Sequence, residues 1–94
     1  MQDRVLVDFN SGFDRTDSDG KYFRQPNLGT TGSLRDLARL GIEPTEGLPL
    51  KVYMEDMDVD GQPGALIGTG VVIRGPYGWL VEVADDDTHW VACD

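Results

Sequence analysis

The sequence contains a single cysteine, Cys93, among its 94 residues. This excludes an intrachain disulfide and a cysteine-based zinc cluster, and it fits a reducing compartment. No apolar run approaches the roughly 20 residues of a membrane-spanning helix, and the first residues lack the basic start and long apolar segment of a secretory leader. We therefore expect a cytoplasmic protein that does not contact a membrane.

Basic residues are also scarce, with 8 Lys and Arg against 17 Asp and Glu, giving a net charge of −9. Residues 1–50 hold eight acids and six bases, whereas residues 51–94 hold nine acids and two bases. Proteins that bind nucleic-acid backbones or anionic lipids need clustered Lys and Arg, so direct nucleic-acid binding is disfavoured. The excess of acids suits a protein partner with a basic surface, a cation, or imitation of a nucleic acid; solubility is the simplest interpretation.

Motifs of catalysis are missing. The sequence has no G-x-x-x-x-G-K-[ST], no G-x-S-x-G and no H-E-x-x-H, and His89 is its only histidine. The carboxylates fall in predicted turns, where solvent keeps their chemistry ordinary. We therefore predict a non-enzymatic protein without a resident cofactor.

The residues that are present suffice for one small core. Hydrophobic residues make up 39% of the chain, including two Trp, three Tyr and three Phe. This content exceeds that of chains too polar to fold, and the length is typical of one domain. We predict a single domain over residues 1–94.

The N-terminal part predicts a β-hairpin over residues 4–25. The apolar segment 5–9 is typical of a strand, Asp19-Gly20 of a hairpin turn, and residues 21–24 of the returning strand. Oligomeric state is not predicted by any of these features.

One helix is predicted over residues 33–40. Leu34, Leu37 and Ala38 recur at the spacing that gathers one apolar face, and Ser33 with Asp36 resembles a capping box. The glycine at position 41 suits the left-handed residue that ends a helix.

Residues 47–94 predict four strands, over residues 48–55, 66–74, 79–84 and 89–93. Gly68 and Gly70 lie inside the second strand, where glycine often marks a bulge or a sharp bend. This region resembles the SH3-like small barrels in architecture, although no family motif is present. The predicted fold is mainly β: a small antiparallel SH3-like barrel or strongly bent sheet, capped by the helix.

The last two strands predict a hairpin with two possible registers. A three-residue loop over 85–87 places Ala84 opposite Thr88 and leaves Trp90 on the outer face. A four-residue loop places Ala84 opposite His89 and turns Trp90 into the core. A slip of one residue therefore decides whether Trp90 is buried or exposed.

If Trp90 is exposed, an aromatic interaction surface becomes possible, because Trp and Tyr dominate the energetics of protein interfaces. The candidate residues of that surface are Tyr77, Trp79, Leu80 and Trp90. The alternative is that both tryptophans fill the core.

The segment EDMDVDGQPG, residues 55–64, is the candidate metal site. Asp56, Asp58 and Asp60 occupy positions one, three and five of a calcium loop, and Gly61 occupies position six. Position twelve is Ile67 instead of the bidentate glutamate, so Ca²⁺ affinity no better than about 10⁻⁴ M is expected. The alternative is a solvated turn whose charges discourage aggregation.

Three functions follow as hypotheses. The first is a non-enzymatic module that binds another protein, one with a basic surface, through an aromatic and acidic surface. The second is a weak Ca²⁺-binding domain that uses residues 56–61, and the third is an acidic nucleic-acid mimic.

Overall fold

A computed structural model describes residues 3–57 and 60–92. Seven strands and one helix follow in the order β1 (Val5–Leu6), β2 (Phe13–Thr16), β3 (Tyr22–Gln25), α1 (Thr31–Leu40), β4 (Pro49–Met57), β5 (Pro63–Gly75), β6 (Gly78–Ala84) and β7 (His89–Ala92). A single 3₁₀ turn, Asp85–Asp87, precedes β7. The predicted fold class, mainly β with one short helix, is confirmed.

The strands form one sheet in the order β1-β4-β5-β6-β3-β2, and β7 also pairs with β5. The sheet is not closed, so the chain does not complete a barrel. It is also not wholly antiparallel, because β1 runs parallel to β4. The other pairs, β2–β3, β3–β6, β4–β5, β5–β6 and β5–β7, are antiparallel.

Strand β5 organises this sheet because its two edges have different neighbours. One edge pairs with β4 along residues 63–71, whereas the other pairs with β7 over residues 64–67 and with β6 over residues 71–75. The predicted β6–β7 hairpin is therefore wrong in both registers. The other edge of β6 lies along residues 23–28, through its pairing with β3 and the bridge between Leu80 and Asn27, and the 3₁₀ turn then returns the chain to β5.

The glycines of β5 accommodate these close approaches. A Cβ on Gly70 would overlap the carbonyl of Glu82, and one on Gly68 would lie 2.9 Å from a methyl group of Val83. The β4–β5 register runs without interruption through both glycines, so this pair has no bulge there, and the predicted bend stays a prediction. The two glycines make room for the end of β6, which lies between β5 and β3.

The N-terminal hairpin is shorter than predicted. Its turn is where the sequence placed it, with the Asp17 carboxylate accepting the N–H groups of Asp19 and Lys21 at 2.9 Å. The strand that pairs with β3 is β2, not the segment 5–9. That segment enters the sheet on the far side instead, where Val5 lies opposite Val52 of β4.

Helix α1 begins two residues earlier than predicted and buries a different face. Thr30 is the N-cap and accepts the Ser33 N–H, so the predicted capping box is wrong. Ser33, Asp36 and Leu37 are buried, whereas Leu34 is 55% exposed. The predicted end at Gly41 is confirmed by its φ of 67°.

The reason for this orientation is the edge of β1. The Asp36 carboxylate accepts the Leu6 N–H at 2.9 Å, and the Ser33 hydroxyl donates to the Leu6 carbonyl. The two helix side chains thus take the place of a neighbouring strand. Buried backbone groups need partners, so this requirement outweighs the burial of Leu34.

The core lies between the sheet, α1 and the segments that lead into them. Its buried members are Val5, Val7, Phe9, Leu28, Leu37, Leu50, Val52, Val72, Val81 and Val83. In the described part of the chain, no helix is long and apolar enough to cross a membrane.

Candidate functional site

The four residues of the predicted aromatic surface have different environments. Tyr77 is 94% exposed in the β5–β6 turn, whereas Leu80 is buried. Trp79 is half-buried against the core, and the guanidinium carbon of Arg74 lies 4.9 Å from its ring centroid. Trp90 is 37% exposed on β7, so it lies at the surface with part of its side chain covered.

Distance separates the exposed members of this set. Trp90 lies opposite Leu66 of β5, and the turn that carries Tyr77 begins after Gly75. Nine residues of strand at roughly 3.3 Å per residue place these points about 30 Å apart. Tyr77 and Trp90 therefore belong to separate surfaces.

The candidate calcium segment is partly strand. Asp56 lies in the β4–β5 ladder opposite Gly64, and Asp60 is exposed in the turn before Gly61, which has a φ of 77°. Asp58 lies outside the described residues. Within the described ranges, no three His, Cys, Asp or Glu side chains converge on a point that a metal ion would occupy. The Ca²⁺ hypothesis for Asp56, Asp58 and Asp60 stays a prediction.

Strand β7 brings the tryptophan and the acidic segment together. Gly64 lies between Asp56 and Ala92 in the sheet, and the Trp90 indole covers it, since a Cβ on Gly64 would overlap the indole ring. Cross-strand partners, and residues two apart in a strand, share a face. Asp56 and Trp90 are therefore on the same face. We call Asp56, Gly64 and Trp90 the hairpin–Trp90 surface.

The sequence could not reveal this surface, because it predicted β6 as the neighbour of β7. Gly64 was the only available signal. Glycine in a strand often marks a site that another group approaches closely, but the identity of that group depends on pairing between distant segments.

The cations of the chain are engaged elsewhere. On the β2–β3 hairpin, Arg15 pairs with Glu82 at 2.8 Å, and Lys21 and Arg24 lie 3.8 and 3.6 Å from acids of the 3₁₀ turn. The other five basic side chains contact a carboxylate, a backbone carbonyl or an aromatic ring: Arg4, Arg35, Arg39, Lys51 and Arg74.

The distribution of charge follows from these contacts. The acids at 82–86 lie close to the cations of the hairpin, whereas residues 52–73 contain no Lys or Arg. The hairpin–Trp90 surface lies in that cation-free segment and at its neighbour β7. No Lys or Arg of this segment therefore offsets the acids beside the exposed indole.

The pKa values of five described groups are shifted from their ordinary values: Asp3, Arg15, Tyr22, Tyr53 and Glu82. Glu82 and Tyr22 are the acidic groups among them that lie at the β2–β3 hairpin. The hydrogen bond from Arg15 lowers the pKa of Glu82, and a second bond from Gln25 acts in the same direction. The hydrogen bond to Asp14 raises the pKa of Tyr22. Neither group has the isolated, buried environment of a general acid or base.

A cleft that sequence reasoning missed lies beside the same hairpin. It has a volume of about 340 Å³ and is lined by Phe9, Asn10, Ser11, Gly12, Phe13, Asp14, Tyr22 and Arg24. Its walls come from the segment after β1 and from β2 and β3, which are distant from β7.

No protein-family model matches the chain, and neither a curated protein nor a solved structure shows significant similarity to it.

Proposed function

We propose that the chain is a cytoplasmic, non-enzymatic binding module that contacts a protein with a basic surface through the hairpin–Trp90 surface. This proposal keeps Trp90 from the predicted aromatic surface. It replaces Tyr77, Trp79 and Leu80 with the acids next to the indole.

The observation that carries the proposal is the exposed Trp90 indole on the same face as Asp56, in a region without cations. Tryptophan is enriched among the residues that contribute most to binding. Surrounding negative charge accelerates the encounter with a basic partner and disfavours acidic ones. Gly64 permits the arrangement, because a side chain there would displace the indole.

A lysine-rich peptide containing leucine tests the proposal. We expect saturable changes in the amide and indole NMR signals of Gly64 and Trp90, with affinity falling as salt is added, since salt screens exposed charges. Trp90→Ala should weaken binding by roughly tenfold or more, the effect of a residue worth at least about 1.4 kcal/mol at an interface.

Two matched variants give this test its specificity. Tyr77→Ala removes an aromatic ring that is more exposed but about 30 Å away at strand spacing, and it should leave binding unchanged. Asp19→Asn removes one acid from the other hairpin and should have little effect compared with Asp56→Asn. Equal losses for Asp19→Asn and Asp56→Asn, with no loss for Trp90→Ala, would show that only net charge attracts the peptide, and the proposal would fail.

Ca²⁺ and Mg²⁺ titrations of the same labelled protein test the alternative use of this segment. Saturable shifts confined to residues 56–61 with Ca²⁺ alone would support the metal site. Small shifts at every acid, equal for both cations, would count against a metal site. The acids would then be expected to contact only the basic groups of a partner protein.

A further inference from the structure

We propose that the cleft beside the β2–β3 hairpin binds a small zwitterionic ligand of the α-amino-acid type that carries an apolar side chain. Its volume of about 340 Å³ lies within the range of small-molecule sites, roughly 300–1,000 Å³. The cleft is separate from the hairpin–Trp90 surface, so this inference does not depend on the proposed function.

The two charged residues of the cleft lie side by side without pairing. Asp14 and Arg24 are directly opposite in the β2–β3 register, so both side chains are on one face. Arg24 forms an ion pair with Asp85, whose oxygen lies 3.6 Å from Nε, a distance longer than a hydrogen bond. Nε is buried and, among the described residues, has no hydrogen-bond partner, so the terminal N–H groups of the guanidinium are the donors for a ligand.

Asp14 also retains bonding capacity. Its Oδ2 accepts the Tyr22 hydroxyl at 2.6 Å. A carboxylate accepts about four hydrogen bonds, so Oδ1 is available to a ligand ammonium group. The guanidinium of Arg24 presents planar donors that match a ligand carboxylate. The adjacent opposite charges thus fit the adjacent ammonium and carboxylate of an α-amino acid.

Three aromatic residues also line the cleft, beside the loop residues 10–12. Phe13 is 46% exposed and Tyr22 is 36% exposed, whereas Phe9 is buried. The guanidinium carbon of Arg24 is 6.0 Å from the Tyr22 ring centroid, at the outer limit for a cation–ring contact. Exposed rings on the wall of a cleft favour a ligand with an apolar side chain.

The loop that closes the cleft is held in place by its own hydrogen bonds. The Asp8 carboxylate accepts the Asn10 N–H, and the Asp8 carbonyl accepts both the N–H and the hydroxyl of Ser11. Gly12 has a φ of 76°, and a Cβ there would overlap the Gln25 carbonyl. A preformed loop lowers the entropic cost of binding.

Net charge selects a zwitterion over simple ions. The molecule carries −9 and so repels a free anion from Arg24, while Arg24 repels a free cation from Asp14. A ligand with zero net charge and a local dipole avoids both penalties. Such a ligand can bind each charged residue with its complementary end.

The test is a titration of the ¹⁵N-labelled protein with free phenylalanine, with phenylalanine amide and with N-acetylphenylalanine. We expect saturable shifts at Gly12, Phe13 and Tyr22 with the free amino acid, and a dissociation constant near about 1 mM, which is typical of so small a ligand. The amide lacks the carboxylate and the acetyl form lacks the ammonium, so each should bind roughly tenfold more weakly or worse.

Two variants test whether Asp14 and Arg24 bind the ligand. Asp14→Asn and Arg24→Gln should each reduce affinity roughly tenfold or more, as expected for loss of a charge-assisted bond. Asp19→Asn and Lys21→Gln change the same charges on the same hairpin, outside the lining of the cleft, and should bind normally. Spectra of each variant without ligand verify the fold.

The proposal is overturned if free phenylalanine causes no saturable shift in the cleft. It is equally overturned if both derivatives bind as well as the free amino acid, or if Asp14→Asn and Arg24→Gln bind like their controls. A peptide that presents only one terminal charge is distinguished from a free amino acid by the same two derivatives.

Discussion

The free edges of the two outermost strands, β1 and β2, are protected in different ways. At β1, the helix closes the edge, because Ser33 and Asp36 bond to both backbone groups of Leu6. At β2, all four residues are exposed, and the strand is fastened across the face of the sheet by the Arg15–Glu82 ion pair. An edge strand is therefore protected either by hydrogen bonds to its outer backbone groups, as at β1, or by being short and carrying exposed charged side chains, as at β2.

The largest effect is expected at the closed edge from Asp36→Ala. This change leaves the Leu6 N–H without its acceptor and removes a carboxylate that two arginines contact. Loss of a buried, charge-assisted bond should lower the free energy of unfolding by about 3 kcal/mol, measured by urea denaturation. Asp36→Asn retains an acceptor and should cost less. A loss below about 1 kcal/mol for the alanine variant would show that water closes this edge equally well.

Ser33→Ala should have the second-largest effect. Its hydroxyl donates to the Leu6 carbonyl and also contacts the Thr30 hydroxyl, so the change leaves a buried carbonyl unsatisfied. We expect a loss of about 1–2 kcal/mol by the same measurement, and faster hydrogen exchange at the Leu6 amide. Ser33→Thr keeps the hydroxyl and serves as a partial rescue. Unchanged exchange at Leu6 would contradict the role given to this side chain.

At the open edge, the Glu82 ion pair should make stability depend on pH. The hydrogen bond from Arg15 lowers the folded-state pKa of Glu82 below its ordinary value of 4.5. The stabilisation is therefore complete above that value and is lost as pH falls through the lower, folded-state pKa.

Glu82→Gln isolates this contribution. The variant should be less stable than the parent protein by up to about 1 kcal/mol at neutral pH, and the difference should shrink below pH 4.5. Thermal unfolding at a series of pH values measures it. A difference that stays constant down to strongly acidic pH would refute the assignment.

The smallest effect is expected on β2 itself. Thr16→Lys alters an exposed residue of the open edge, so stability should change by less than about 0.5 kcal/mol. Chemical denaturation measures the change, with Ser33→Ala as the contrasting variant. A loss as large as that of Ser33→Ala would remove the distinction between the two edges.

Local features of the fold could be predicted from the sequence, whereas pairings between distant segments could not. The turn at Asp17, the helix end at Gly41 and the β4–β5 segment follow from glycine, acidic residues and alternating apolar residues. The parallel pairing of Val5 with Val52 leaves no comparable local signal. The predicted buried face of the helix was wrong because Ser33 and Asp36 form hydrogen bonds to the backbone of β1. The spacing of apolar residues along the helix carries no information about those bonds.

The same limit applies to the candidate sites. Trp90 and Asp56 were each identified, but in separate hypotheses, because their proximity requires β7 to pair with β5. The cleft was missed altogether, since Asp14 and Arg24 become neighbours only through the β2–β3 register. Asp58 remains a prediction outside the described residues.

The parallel β1–β4 pair also sets constraints on the kinetics of folding. Arg4 bonds to the carbonyls of Val52 and Gly68, which are 48 and 64 residues along the chain, so the contacts of β1 are complete only when β4 and β5 have paired. Closing such long loops is slow, and folding in milliseconds to seconds is expected. The transition state should then contain the β4–β5–β6 meander, while the helix and β1 join late and govern the rate of unfolding.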